Sequence, residues 1–97
     1  MTRMEMRSQI EDRIAKLNGR LAKEYQKRTV GERECFIRKD GFLFALDYIL
    51  PYEAIVIEYA ENESEAKLNR FEDGDLFYLE EMDEEAMLQA MLREIEQ

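Results

Sequence analysis

The segment D-Y-I-L-P-Y-E-A, residues 47–54, combines two carboxylates with two phenols around the only proline of the chain. Side chains of these types can act as general base and general acid when they face one another in a cleft. Their separation is not determined by the spacing, because Pro51 turns the chain between the two halves of the segment. A small enzyme or ligand-binding domain is therefore one hypothesis, with a pocket formed by Asp47, Tyr48, Tyr52 and Glu53.

The segment N-R-F-E-D-G-D-L-F-Y-L-E, residues 69–80, partly matches the loop of an EF-hand calcium site. The third ligand position, however, is Phe71, which offers no oxygen to a cation. The residues after Gly74 are typical of a strand rather than of the helix that leaves such a loop. We therefore predict that Asp73-Gly74 forms a turn with a positive φ that leads into a strand, and we expect no bound metal.

The composition excludes several kinds of site. The 97 residues predict a single domain, residues 1–97, with one modest core. The chain has no histidine and a single cysteine, so neither an internal disulfide nor a zinc site of cysteine and histidine can form. Without a histidine to accept its proton, Cys35 is expected to be a buried packing residue. No cofactor is expected, because no glycine-rich phosphate loop or comparable motif occurs.

The overall charge and hydropathy predict a cytoplasmic protein. The first residues, M-T-R-M-E-M-R-S-Q, lack the apolar core of a signal peptide, and no apolar run reaches the length of a membrane-spanning helix. With 14 basic and 23 acidic residues, the chain has a formal net charge of −9. Since phosphate polyanions repel such a protein, we expect neither nucleic acid nor a membrane surface to be its partner.

The charge is divided unevenly along the chain. Residues 1–39 hold 11 Lys and Arg against 6 Asp and Glu, a net of +5, whereas residues 40–97 hold 3 against 17, a net of −14. Five basic residues recur at spacings of three and four, and are predicted to line one flank of the first helix: Arg13, Lys16, Arg20, Lys23 and Lys27. This flank is expected to meet the acidic part of the same chain or of a second copy. The acidic part is expected either to act as a solvated surface or to bind a basic protein.

Two long helices are predicted at the ends of the chain. Apolar residues at spacings of three and four predict a first helix over residues 4–27, continuous through Gly19, and a final helix over residues 84–96. Asp83 is a favourable N-cap for the final helix. Met87 and Met91 lie on its wide apolar stripe and are candidates for contact with a partner.

Four strands are predicted between these helices. The runs at residues 34–39 and 42–47 flank Asp40-Gly41, which favours a two-residue hairpin turn with Ile37 opposite Phe44. The third and fourth strands are predicted at 54–60 and 76–79, and a short helix at 62–70. The predicted fold is α+β in the order α-β-β-β-α(short)-β-α, with a mainly antiparallel four-stranded sheet on which the long terminal helices pack.

The predicted strands are apolar on both faces, which favours an interaction protein. Either the two long helices cover opposite faces of the sheet, or one face meets a partner. The leading hypothesis is therefore a non-enzymatic protein–protein interaction module, an adaptor or an inhibitor of a basic protein, that also self-associates as a homodimer. The pocket of acids and phenols at residues 47–53 is the competing hypothesis.

Overall fold

The computed structural model describes residues 2–97 as an α+β domain with one antiparallel sheet of five strands, in which the strands are adjacent in chain order. A short 3₁₀ turn, Leu50–Tyr52, connects the third strand to the fourth. The elements are α1 (Arg3–Leu21), β1 (Gln26–Val30), β2 (Arg33–Ile37), β3 (Leu43–Ile49), β4 (Ala54–Ala60), α2 (Glu63–Lys67), β5 (Glu72–Tyr78) and α3 (Glu84–Ile95). The predicted α+β class is confirmed, whereas the predicted sheet of four strands lacked β1.

Helix α1 begins where Thr2 caps it and ends six residues earlier than predicted. The Thr2 hydroxyl accepts a hydrogen bond from the Glu5 amide at 3.1 Å. The helix continues through Gly19, as predicted, and it buries Ile10 and Leu17 against the sheet. It ends at Leu21 rather than at residue 27, because the chain must turn back to form β1.

Strand β1 has no apolar pattern that would reveal it in the sequence. Its first four residues are exposed and only Val30 is buried. The strand forms because it pairs with β2 across a tight turn at Gly31, whose φ of 63° suits the first central position of a type II′ hairpin. Since Lys27 continues the helical spacing of the preceding basic residues, the sequence pattern favours a longer helix instead.

The β2–β3 hairpin has a register one residue away from the predicted one. Phe36 lies opposite Phe44, whereas the prediction placed Ile37 there. The Gly41 amide donates to the Arg38 carbonyl at 2.9 Å, and Gly41 has a φ of 91°, so the loop has three residues and ends in a left-handed glycine. The shift places Phe36 and Phe44 on the same face of the sheet.

Strand β5 begins earlier than predicted and contains Asp73-Gly74. The predicted turn at this dipeptide is wrong, because Asn69, with a φ of 56°, supplies the left-handed step four residues earlier. Gly74 is required for another reason. A Cβ atom there would clash with the Glu94 carboxylate and would lie 2.8 Å from the Tyr59 ring and 3.1 Å from the Ile57 carbonyl oxygen.

Both long helices cover the same face of the sheet, which we call the helix-covered face. Its strand residues pack with α1 and α3 in the main core, and they are Phe36, Phe44, Leu46, Ile55, Ile57 and Phe77. The hypothesis that the two helices lie on opposite faces is therefore wrong.

The N-terminus of α3 was predicted correctly. The Asp83 carboxylate caps this helix by accepting a hydrogen bond from the Ala86 amide at 2.8 Å.

The other face of the sheet, which we call the open face, is covered only at one end. There α2, through Ala66, and Phe71 pack on a second apolar cluster, whose remaining members are Val30, Cys35, Leu43, Ala45 and Ala60. Asn62 caps α2, since its side-chain oxygen accepts from the Glu65 amide at 2.9 Å. The rest of the open face carries charged residues and the buried Val56 and Ala54, flanked by the half-buried Ile49 and Leu76 and the exposed Tyr78.

Candidate functional site

The four residues of the predicted acid–base pocket do not converge. Asp47 and Tyr48 are neighbours in β3, so their side chains point to opposite faces of the sheet, and Tyr48 packs against the main core. The Tyr52 side chain is 60% exposed on the 3₁₀ turn. Glu53 lines a different depression, beside the first turn of α1. None of the best-formed depressions within residues 2–97 is lined by more than one of the four.

The predicted basic flank is divided between three parts of the chain, because α1 ends at Leu21. Arg13 and Arg20 face α3, where Arg13 donates to the Met82 carbonyl at 3.1 Å and Arg20 lies 2.9 Å from Glu85. Lys16 pairs with Asp12 one turn away at 3.1 Å. Lys27 lies in β1 and pairs with Glu34 at 3.1 Å, and Lys23 lies in the turn before it. Most of these cations are therefore engaged within the chain.

The two methionines proposed for partner contact are core residues. Met87 and Met91 are fully buried between α3 and the sheet. That role is therefore corrected, because no partner can reach either side chain without opening the main core. Cys35 is also fully buried, as predicted, and burial raises the pKa of its thiol above the ordinary value.

A groove of about 440 Å³ lies at the end of the sheet where β4 ends, α2 begins and β5 starts. We call it the acidic groove. Its walls combine three aromatic rings, three carboxylates and one guanidinium, contributed by Phe42, Tyr59, Glu61, Glu65, Arg70, Phe71 and Glu72. It forms because the left-handed step at Asn69 brings the chain back toward the end of β4.

Guanidinium groups of the protein already stack on each aromatic ring of this groove. The Arg33 guanidinium lies 4.3 Å from the centre of the Phe71 ring. The Arg38 guanidinium lies 4.9 Å from the Phe42 ring centre and 5.3 Å from the Tyr59 ring centre. Such distances are those of cation–π contacts, in which the negative face of a ring attracts a cation. Each ring of the groove therefore already contacts a guanidinium of the same chain.

The carboxylates of the groove are only partly neutralised. Glu65 pairs with Arg70 at 3.5 Å, and the Arg70 side chain is 67% exposed. Glu61 and Glu72 are exposed, and among the described residues neither has a basic group within 4.0 Å. Asp73 and Asp75 continue the negative charge along β5, one of the two edge strands of the sheet.

A charged network adjoins the groove on the open face. Arg33 contacts the Glu58 carboxylate and lies 3.9 Å from Asp47. Burial raises the pKa of Glu58 above its ordinary value; Arg33 opposes the shift, and Asp47 and Asp73 add to it. One cation thus faces three carboxylates, so this part of the sheet is also acidic.

Tyr59 connects the groove with α3. Its hydroxyl donates to the Glu94 carboxylate, whose other oxygen accepts from the Asp75 amide at 2.8 Å. Burial and then the bond to Glu94 raise the pKa of Tyr59 well above its ordinary value, so the phenol stays protonated. Burial likewise raises the pKa of Glu94. The Tyr59 ring is therefore held in place as a neutral wall of the groove.

Sequence reasoning identified the acids of this groove only as part of an acidic region, and missed its rings. Glu61, Glu65 and Glu72 belong to the dense acidic stretch between residues 58 and 85. Phe42 and Tyr59 are in strands or beside them, where aromatic residues are expected from β propensity alone. The alternation of Arg with an aromatic or acidic neighbour, as in R-F-E at 70–72, is too common to predict a site.

Two kinds of feature are absent from residues 2–97. No three His, Cys, Asp or Glu side chains are arranged as ligands of a metal ion. No helix is both long and apolar enough to cross a membrane.

Comparison of the chain with protein-family models, with curated proteins and with solved structures finds no match.

Proposed function

We propose that this protein is a non-enzymatic interaction module of the cytoplasm that binds a basic segment of a partner protein, as an adaptor or an inhibitor. The observation that carries this proposal is the acidic groove, in which aromatic walls surround two carboxylates, Glu61 and Glu72, without an ion-pair partner among the described residues. A basic segment would place its cations between these carboxylates and the rings.

The distribution of ion pairs supports a basic rather than an acidic partner. Arg20, Lys27 and Arg28 are paired with glutamates of the same chain, so the basic half offers few free cations. Of the 17 Asp and Glu in residues 40–97, seven pair with a cation of the chain and ten have no basic group within 4.0 Å among the described residues. A surface of one sign attracts partners of the opposite sign and accelerates their encounter.

The experiment is an isothermal titration of the protein with three synthetic dodecapeptides in which glycine alternates with arginine, lysine or glutamate. At an ionic strength of about 0.15 M, where the Debye length is about 8 Å, both basic peptides should bind and the acidic one should not. Replacing both free groove acids, Glu61→Gln with Glu72→Gln, should weaken binding by about three- to tenfold.

The matched control removes two charges elsewhere. Glu80 and Glu81 are exposed in the turn after β5 and do not line the acidic groove. The double variant Glu80→Gln with Glu81→Gln changes the net charge by the same amount and should bind almost as tightly as the parent protein. If neither basic peptide binds, the proposed function is wrong. If the two double variants weaken binding equally, the acidic groove is not the site.

A second candidate, self-association, is favoured by the apolar end of the open face. The register places Ile49, Ala54 and Tyr78 side by side on three neighbouring strands. Tyr52, in the 3₁₀ turn between Ile49 and Ala54, is a further exposed aromatic residue, with its side chain 60% exposed. Two copies that pack through this surface would form a symmetric dimer.

Light scattering tests self-association directly. A dimer that persists at about 1 M salt, where the Debye length is about 3 Å, would be held by apolar contact, and Tyr78→Ser should convert it to a monomer. A dimer lost in salt would instead depend on charge. A monomer under both conditions would contradict this second candidate and leave the first unaffected.

A further inference from the structure

We infer that the acidic groove is selective for the guanidinium group of arginine, and that Arg70 acts as its internal competitor. This selectivity rests on the proposed function, since it names the side chain that the basic partner would insert. The rings, the carboxylates and the one cation that line the groove support it.

The protein repeats one arrangement twice around this groove. Arg33 stacks on Phe71 and pairs with the Glu58 carboxylate. Arg38 stacks on Phe42 and on Tyr59. Arg38 also pairs with the Asp40 carboxylate, an ion pair that lowers the pKa of Asp40 to about 2. Each unit thus combines a guanidinium, an aromatic face and a carboxylate.

Two carboxylates of the groove belong to neither of these units. Glu61 and Glu72 line it beside the three rings, and neither has a basic group within 4.0 Å among the described residues, whereas Arg70, the guanidinium on its wall, pairs with Glu65. An arginine from a partner would complete a third unit, with its planar group on a ring and its N–H donors directed at a carboxylate. A lysine ammonium lacks the planar group and binds water more strongly, so it would gain less from the rings.

Arg70 is the cation on the wall of the groove. Its side chain is largely exposed and its ion pair with Glu65 is long, at 3.5 Å. A guanidinium that is held this loosely next to Glu61 and Glu72 repels a second cation. Removal of its charge should therefore make the groove more receptive to arginine.

The first experiment compares three blocked pentapeptides, acetyl-Gly-Xaa-Gly-Xaa-Gly-amide, with Xaa as arginine, lysine or citrulline. Citrulline has nearly the shape of arginine but no charge. Nuclear magnetic resonance titration of the ¹⁵N-labelled protein gives each affinity and the amides that respond. The arginine peptide should bind about threefold or more tighter than the lysine peptide, as expected for cation–π stacking at an exposed site. It should bind about tenfold or more tighter than the citrulline peptide.

The second experiment assigns the selectivity to the groove. Phe71→Leu keeps an apolar side chain but removes one of the three rings, and should reduce the preference for arginine over lysine. Arg70→Gln should tighten arginine binding by about two- to fivefold, as expected from loss of one nearby like charge at a solvated site. Lys67→Gln, which removes an exposed cation of α2 outside the groove, is the matched control and should have a smaller effect.

Three results would overturn the inference. These are equal affinity for the arginine and lysine peptides, chemical-shift changes that avoid the amides of residues 59–72, and an Arg70→Gln variant that binds arginine no better than Lys67→Gln does. Should Phe71→Leu prevent folding, the peptide comparison and Arg70→Gln still decide the outcome. If basic dodecapeptides bind but arginine has no advantage, the proposed function stands and this inference alone fails.

Discussion

The helix-covered face and the open face of the same sheet differ in what their side chains contact. On the first, Phe44 is fully buried and its ring meets three other aromatic rings, with centroids 5.1 Å from Tyr25, 5.6 Å from Phe36 and 6.4 Å from Tyr59. On the second, the middle of the sheet carries Arg33 and Glu58 as a half-buried ion pair. One face supplies the core, and the other supplies charge and the exposed ends of aromatic side chains.

This contrast explains why both long helices lie on one side. A chain of 97 residues can build one substantial apolar layer, and α1 and α3 together supply it. The other face then needs side chains that tolerate water, except beneath α2, where small residues such as Ala45 and Ala60 fit under a short helix. The acidic groove lies where these two environments meet, at the α2 end of the sheet.

The largest expected loss of stability comes from a substitution on the helix-covered face. Phe44→Ala should lower the free energy of unfolding by about 3–5 kcal/mol, because it removes a buried ring and leaves a cavity among three aromatic neighbours. Urea unfolding followed by circular dichroism measures the change. A loss below about 1 kcal/mol would mean that this face is not the main core.

A smaller loss of stability is expected at Gly74, where β5 approaches α3. Gly74→Ala should destabilise the fold by about 1–3 kcal/mol, since the added methyl group meets the fixed Ile57 carbonyl and the Tyr59 ring. Gly19 is the matched control, because a methyl group added there in α1 would meet no atom within 4 Å and its φ is not positive. Gly19→Ala should stabilise the protein by about 0.5–1 kcal/mol, and equal effects at the two glycines would contradict the close approach.

Tyr78, on the open face, should contribute less to stability than Phe44 does on the helix-covered face. Tyr78 is 37% exposed, so Tyr78→Ser should change the free energy of unfolding by less than about 1 kcal/mol in the monomer. Urea unfolding at a low protein concentration avoids any contribution from association. A loss as large as that of Phe44→Ala would show that the open face is a second core.

The smallest expected effect is the pH dependence of stability that Glu58 gives the open face. Because the pKa of Glu58 is raised in the folded protein, the folded state binds more protons than the unfolded chain just above the ordinary pKa of glutamate. Stability contributed by the protonated form is therefore lost as the pH rises through that window. Glu58→Gln should flatten the decline of unfolding free energy with pH there, whereas Glu80→Gln, at an exposed position, should not. Urea unfolding at a series of pH values measures both profiles.

Comparison of Glu58→Gln with Glu80→Gln separates the effect of the raised pKa of Glu58 from that of the overall negative charge. Repulsion in a chain of net charge −9 also makes stability fall with increasing pH, and either substitution removes one negative charge from that repulsion. Identical pH profiles for the two variants would therefore contradict the raised pKa of Glu58.

Elements whose signals are local could be predicted from the amino-acid sequence. Helix α3 lies at residues 84–95 with its Asp83 cap, and β4 at 54–60, both nearly as predicted. Side-chain caps and apolar periodicity involve only a few neighbouring residues, so they can be recognised in the sequence without knowledge of the fold. The burial of Cys35 followed in the same way from its residue type and its β-forming neighbours.

Features that depend on residues far apart in the sequence could be seen only in the folded structure. Strand β1 exists because β2 offers it hydrogen bonds, although its own exposed residues resemble the end of a helix. The one-residue change in the register of β2 and β3 placed both phenylalanines in the core, because their burial outweighs the preference of Asp40-Gly41 for a two-residue turn. The acidic groove, which joins residues from position 42 to position 72, required the complete sheet before its rings and carboxylates could meet.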